Sequence, residues 1–163
     1  MRKYALLLLV ILIISSFFIL DKTYYRDSVE FSPPIDTEVL RIRNDSYGGG
    51  HFDAKRKNGR RHTGLDILAP VGAPVRASKS GWAVRKFDED GYGKYITVYH
   101  KGDFTTLYAH LEKTNVRWAK KVRQGDVIGW VGKTGNARYK GIKAHLHFEV
   151  RKGSSFLDPE ELL

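Results

Sequence analysis

Six histidines are spread over 163 residues that contain no cysteine. With no thiol there is no disulfide framework, thiol nucleophile, thiolate metal site or lipid attachment through cysteine, so any metal must be held by histidine and carboxylate. The segment His145-Leu146-His147-Phe148-Glu149-Val150 carries the sharpest local signal. On a strand, side chains alternate with period two, so His145, His147 and Glu149 share one face while Leu146, Phe148 and Val150 enter the core from the other. On a helix the two imidazoles would diverge by ~200°.

A second element is Arg61-His62-Thr63-Gly64-Leu65-Asp66-Ile67. A spacing of four brings His62 and Asp66 to one side of a helix or a strand, and Gly64 argues against the helix. His62, Asp66 and one histidine of the later pair make a His₂Asp set. Three protein ligands plus a water describe a catalytic zinc site rather than a closed structural one. Zinc held in this way brings the pKa of a water to ~7 and polarises a carbonyl oxygen. His110, in Leu107-Tyr108-Ala109-His110-Leu111, can handle protons together with the histidine that stays off the metal. Glu149 shares that face and can orient a ligand from behind. His51, in a glycine loop, and His100, at a strand end, are expected to face solvent. Trp82, Trp118 and Trp130 are expected in the core or the wall of a groove.

The three motifs His-x-x-x-Asp, Tyr-Ala-His-Leu and His-Leu-His-Phe-Glu, in this order and at these separations, resemble the M23 (lysostaphin-type) zinc metallopeptidases. The resemblance covers about residues 40–163, with Gly64-Leu65-Asp66-Ile67-Leu68-Ala69-Pro70 and Gly125-Asp126-Val127-Ile128-Gly129 in support. It implies His62, Asp66 and His147 as ligands of one Zn²⁺ per chain. It implies His110 and His145 as general base and transition-state stabiliser, without saying which is which. It also implies a duplicated-hybrid-motif-like β domain with an open groove, and endopeptidase hydrolysis of peptidoglycan stem peptides or crosslinks. Two departures bear on the substrate. The loop over 136–143 is long and basic, and no tyrosine stands just before the first ligand, Tyr47 being a distant candidate. The alternative reading is a non-catalytic zinc-binding envelope module that binds cell wall or regulates another hydrolase.

The elements that must position these residues are short strands. Apolar segments at residues 64–69, 73–77, 82–87, 95–99, 105–111, 127–131 and 144–151 alternate with turn signals at Asp90-Gly91, Lys101-Gly102-Asp103 and Gln124-Gly125-Asp126. No stretch beyond residue 22 sustains a 3.6-residue apolar period. The fold class is therefore expected to be all-β, an antiparallel sheet domain over 39–163. Residues 39–43 look strand-like, 44–50 a loop, and 158–163 a helical turn opened by Pro159.

Composition bounds the rest. At 42% hydrophobic residues the chain is not disordered. Its net charge of +10 favours anionic partners, but the cations are scattered apart from a short cluster at Lys55, Arg56, Lys57, Arg60 and Arg61, and no nucleic-acid motif accompanies them, so no nucleic-acid partner is expected. Met1-Arg2-Lys3 precedes an apolar run over 4–20 that ends at Asp21-Lys22. As a helix this run spans ~25 Å against a ~30 Å hydrocarbon core. No small-x-small cleavage triplet follows, which favours an uncleaved anchor over a signal peptide. The expected organisation is an anchor over 1–22, a linker over 23–38 and a catalytic domain over 39–163. The protein is then single-pass in the cell membrane and a monomer, with its domain on the periplasmic or extracellular side.

Overall fold

The computed structural model describes Leu9, Ile11, Leu12 and Ser15, residues 27–56 and residues 59–163. Apart from those first four positions, the anchor expected over 1–22 lies outside the described residues. Among the described residues no helix is long and apolar enough to cross a membrane.

Among the described residues eleven strands follow one another: β1 (Asn44–Asp45), β2 (Gly48–Gly49), β3 (Leu65–Leu68), β4 (Pro74–Arg76), β5 (Gly81–Asp88), β6 (Gly93–Tyr99), β7 (Phe104–Thr114), β8 (Ala119–Val122), β9 (Val127–Val131), β10 (His145–Lys152) and β11 (Ser155–Leu157). The first two form a small hairpin. The other nine make one antiparallel sheet in the order β11-β10-β7-β6-β5-β8, with β3 added to β10 and β9 joining β7 to β4. All seven apolar segments are strands. Residues 39–43 contribute only a single bridge, Ile42 to Ile67, whereas the expected loop over 44–50 contains the hairpin. Pro159–Glu161 is a 3-10 turn, and Asp158 caps it by accepting from the Glu160 amide at 2.9 Å.

The core lies where alternation places it. Leu65, Ile67, Ile96, Val98, Tyr108, Leu111, Leu146, Phe148 and Val150 are fully buried. The segment expected as a linker takes part: Phe31 and Ile35 belong to the same cluster, and Phe31 meets Phe104 edge-on at 5.5 Å. The Tyr108 hydroxyl sits inside this cluster and is satisfied by the Ser78 amide at 2.8 Å and by Thr106 Oγ1 at 2.9 Å, as a buried phenol requires.

Strand β10 is the element on which the site depends. It pairs with β3 on one side and β7 on the other, so that His147 stands opposite both Asp66 and Ala109. Leu146, Phe148 and Val150 fill the core and leave His145, His147 and Glu149 on the far face. The chain just before β3 crosses this face at minimal distance. A Cβ at Gly64 would lie 2.3 Å from the Phe148 carbonyl oxygen and 2.8 Å from Glu149 Cγ. Only glycine permits this approach, which sets His62 and Asp66 at the height of His147. We predict that Gly64→Ala lowers stability by about 1–3 kcal/mol, the usual cost of overpacking, seen as a drop in the urea midpoint. An unchanged midpoint would show that the segment can retreat.

Candidate metal centre

Three side chains converge above β10. Asp66 Oδ1 lies 2.8 Å from His147 Nδ1 and 3.1 Å from His62 Nε2, and the two ring nitrogens are 3.0 Å apart. All three residues are buried, and their ligand atoms form a group able to hold an ion. Bonds of ~2.0–2.1 Å to a tetrahedral zinc would set such donors ~3.3 Å apart. The observed spacings need to open by only a few tenths of an ångström, so the residues present fit the ion.

The atoms behind the donors fix which nitrogen carries a lone pair. His62 Nδ1 donates to the His51 carbonyl at 2.8 Å, which leaves Nε2 facing the centre. His147 Nε2 donates to Glu149 Oε1 at 3.0 Å, which leaves Nδ1 facing it. Glu149 also accepts from Thr63 Oγ1 at 2.6 Å, from the Tyr92 hydroxyl at 2.8 Å and from Arg151 Nε at 3.0 Å. Burial would raise its pKa, but these hydrogen bonds outweigh burial and hold it at about 2. On the opposite side Asp66 Oδ2 is gripped by Arg43 through Nε at 3.1 Å and Nη2 at 2.9 Å, and by Arg56 Nη2 at 2.9 Å. Burial again pushes the Asp66 pKa upward. The hydrogen bonds and charges of His147, His62 and His145 prevail, and it lies well below the ordinary carboxylate value.

The remaining two histidines line the same space. His145 Nδ1 donates to the Lys143 carbonyl at 2.7 Å, and its Nε2 lies 3.8 Å from Asp66 Oδ1. His110 Nδ1 donates to the Thr134 carbonyl at 3.0 Å, with its ring centroid 5.0 Å from that of His145 and 5.9 Å from that of His147. Desolvation and the nearby imidazoles hold His110 neutral, with its pKa lowered to about 3, and desolvation lowers His145 as well. Both rings thus keep Nε2 as a proton acceptor.

His110 reaches this face through a β-bulge. In the β6–β7 ladder Lys94 pairs with Leu111 and Ile96 with Tyr108, so Ala109 and His110 together stand opposite a single residue. Strict alternation would put His110 in the core beside Tyr108. Instead it takes φ +62°, with its amide bonded to the Tyr92 carbonyl at 2.9 Å, while Tyr108 and Leu111 both stay in the core.

All five residues named from the sequence meet here, in a groove of about 620 Å³ that Arg56, Tyr92, Asn136, Tyr139 and Ile142 also line. The loop over 136–143 therefore borders the groove. Tyr47 borders it too, but its hydroxyl is committed to the Lys140 carbonyl at 2.9 Å. Tyr92, with its ring 5.6 Å from His147, is the tyrosine of the centre. Two expectations are corrected. His100 does not face solvent: its ring is half-buried, with Nδ1 3.0 Å from the Ser80 carbonyl and Nε2 2.8 Å from Thr106 Oγ1. Trp82 and Trp118 are neither core nor groove wall but lie exposed on the sheet. His51 is exposed as expected, and it pairs with Glu160 at 2.6 Å.

The profile of peptidase family M23 matches residues 60–159, which contain all five histidine and aspartate positions. The chain belongs to peptidase family M23. It is 41% identical over 100 residues to the DD-carboxypeptidase/endopeptidase Mpg of Neisseria meningitidis, covering 61% of this chain and 22% of that protein. It is 36% identical over 88 residues to the peptidoglycan DD-endopeptidase ShyC of Vibrio cholerae, covering 54% and 19%. The chain thus spans about a fifth of the length of these curated relatives. Among solved structures, a zinc containing peptidase from Vibrio cholerae superposes with TM-score 0.64 at 29% identity, covering 82% of this chain and 39% of that one. The catalytic domain of the antimicrobial peptidase lysostaphin from Staphylococcus simulans superposes with TM-score 0.59 at 31% identity, covering 72% and 90%. The all-β antiparallel fold is that of the M23 domain.

Two predictions follow from this M23 centre. His110 carries a positive φ that costs a residue with a Cβ about 1–2 kcal/mol. His110→Gly should therefore be more stable than His110→Ala by roughly 1 kcal/mol in urea unfolding, and equal stabilities would show that the bulge stores no strain. The second concerns His147 in chelator-treated protein. Burial lowers its pKa, but hydrogen bonds to Asp66 and Glu149 and their charges raise it to about 9, above the unfolded value of 6.5. Its contribution to stability is complete below pH 6.5 and is lost as pH rises through 9. Thermal stability of the stripped protein should fall across that window, and His147→Gln should flatten the fall.

Proposed function

We propose that this chain is a zinc-dependent endopeptidase that hydrolyses amide bonds in peptidoglycan stem peptides or crosslinks. The reading rests on one observation: two imidazole nitrogens and one carboxylate oxygen converge within bonding reach of a common point, beside two neutral histidines, in an open groove. In this reading His62 Nε2, Asp66 Oδ1 and His147 Nδ1 hold one Zn²⁺. When bound, the ion supplies Lewis acidity toward a carbonyl oxygen and lowers the pKa of water. His110 and His145 accept a proton from the attacking water, stabilise the developing oxyanion and return a proton to the departing amine. Arg43 and Arg56 hold Asp66 by Oδ2 so that Oδ1 faces the ion, and Glu149 keeps His147 in its ligand tautomer. The names of the peptidoglycan-cleaving relatives and of the zinc containing neighbour support the substrate and the metal.

The same proposal carries the organisation read from the sequence. Residues 1–22 anchor the chain in the cell membrane, and the domain over 39–163 works on the periplasmic or extracellular side.

Digestion of purified peptidoglycan, read by mass spectrometry of the released muropeptides, tests activity and bond together. Cleavage should be abolished by chelation and restored by Zn²⁺. It should fall by roughly 10²–10⁴ in His110→Ala with zinc content unchanged, while His62→Ala should lose the zinc itself. Stoichiometric zinc without turnover on any wall preparation would favour a binding module instead.

A further inference from the structure

Strand β8 closes one end of the sheet, beyond β5. It lies in a one-signed run: residues 113–125 hold Lys113, Arg117, Lys120, Lys121 and Arg123 and no acidic residue. Lysines on an edge strand discourage edge-to-edge pairing, and this accounts for the charge. It does not account for the tryptophans. Trp118, immediately before β8, is 70% exposed, with the Arg85 guanidinium 5.2 Å from its ring. Trp82, on the neighbouring strand, is 48% exposed and stands opposite both Lys121 and Tyr99. Because Arg85 and Trp82 point to opposite faces of β5, an exposed indole flanks the edge on each side. Indoles interleaved with cations are the composition of surfaces that settle among lipid headgroups.

The path of the chain selects the same edge. Asp27 accepts from the Ser80 amide at 3.2 Å, and Gln124 Oε1 accepts from both the amide and the hydroxyl of Ser28 at 2.9 Å. Ser80 and Gln124 adjoin Gly81 and Val122, the paired ends of β5 and β8. The polypeptide therefore enters the domain beside β8. The apolar run ends at Leu20, and the six residues between it and Asp27 extend at most ~20 Å. An anchor in that run keeps the Val122 end of β8 near the bilayer, within about this distance.

We propose that the β8 edge, with Trp118 and Trp82 flanking Arg117, Lys120 and Lys121, docks on the anionic surface of the membrane that anchors the chain. The proposal rests on the anchor reading of residues 1–22 and goes beyond the hydrolase reading. Its geometric consequence concerns the metal centre. From β8 to β10 there are four strand steps, or ~19 Å at the usual spacing. Docking at β8 therefore holds His147 and its groove away from the lipid.

The test uses the full chain mixed with vesicles of phosphatidylcholine alone, or of phosphatidylcholine and phosphatidylglycerol in equal parts, both with brominated acyl chains that quench tryptophan. Quenching should be at least twofold stronger with phosphatidylglycerol. More than half of it should be lost in Trp118→Phe, and little in Trp130→Phe. The double variant Arg117→Glu, Lys121→Glu, at two exposed positions, should fall to the phosphatidylcholine level while still floating with the vesicles. A chain that floats with the vesicles but shows no quenching of Trp118, or the same quenching in the double variant, overturns the docking and leaves the anchor standing. A chain that does not float overturns both. A Trp118 response to purified wall polymer in place of vesicles also overturns the proposal.

Discussion

The structure is organised around keeping one carboxylate ionised where almost no water reaches it. Asp66 is buried, and a buried charge is tolerated only if every lone pair finds a cationic or hydrogen-bonding partner. Its two oxygens divide the work. Oδ1 faces two histidines, and Oδ2 faces two guanidinium groups. The division leaves one oxygen available to an ion and pins the other, so the ligand is preorganised by the segments preceding β3 rather than by the ion. Glu149 repeats this arrangement behind His147. Its partners are Arg151, Thr63 and Tyr92, contributed by three separate stretches of chain.

The chemistry of the site was more legible in the sequence than its support. Alternation along His145-Leu146-His147-Phe148-Glu149 reports directly on which face each residue takes, because a paired strand has no other choice. The Gly64 between His62 and Asp66 could be read as a strand signal, although its actual necessity, the close crossing over Phe148, belongs to tertiary structure. His110 is the instructive case. Its residue type and neighbours suggested a role, yet strict alternation from Tyr108 would have buried it. Only the bulge, a feature of pairing between β6 and β7, brings it to the groove.

What the sequence concealed shares one cause: those residues act through partners far along the chain. Arg43 reads as one of the scattered cations and Arg56 as one of a short basic cluster until Asp66 is placed between them. Tyr92 sits in a turn between β5 and β6 and has no local signature. Strand β8 was missed because an edge strand rich in lysine lacks the apolar alternation by which strands are recognised. Trp82 and Trp118 were assigned to the interior on the general tendency of indoles, which an exposed edge overrides. His100 was expected in solvent because it ends a strand, but Ser80, just before β5, and Thr106, on β7, close over it.

The roof of the groove and the floor of the metal centre share one support. Asp45, in the small hairpin, holds Arg43 at 2.6 Å and accepts from the Lys143 amide at 3.3 Å, while Tyr47 in the same hairpin holds the Lys140 carbonyl. The loop over 136–143 is therefore not a detachable module. Anyone grafting a foreign loop onto this scaffold to retarget it would have to transplant the hairpin as well. Otherwise the exchange would loosen Arg43, and with it the carboxylate on which the metal centre is built.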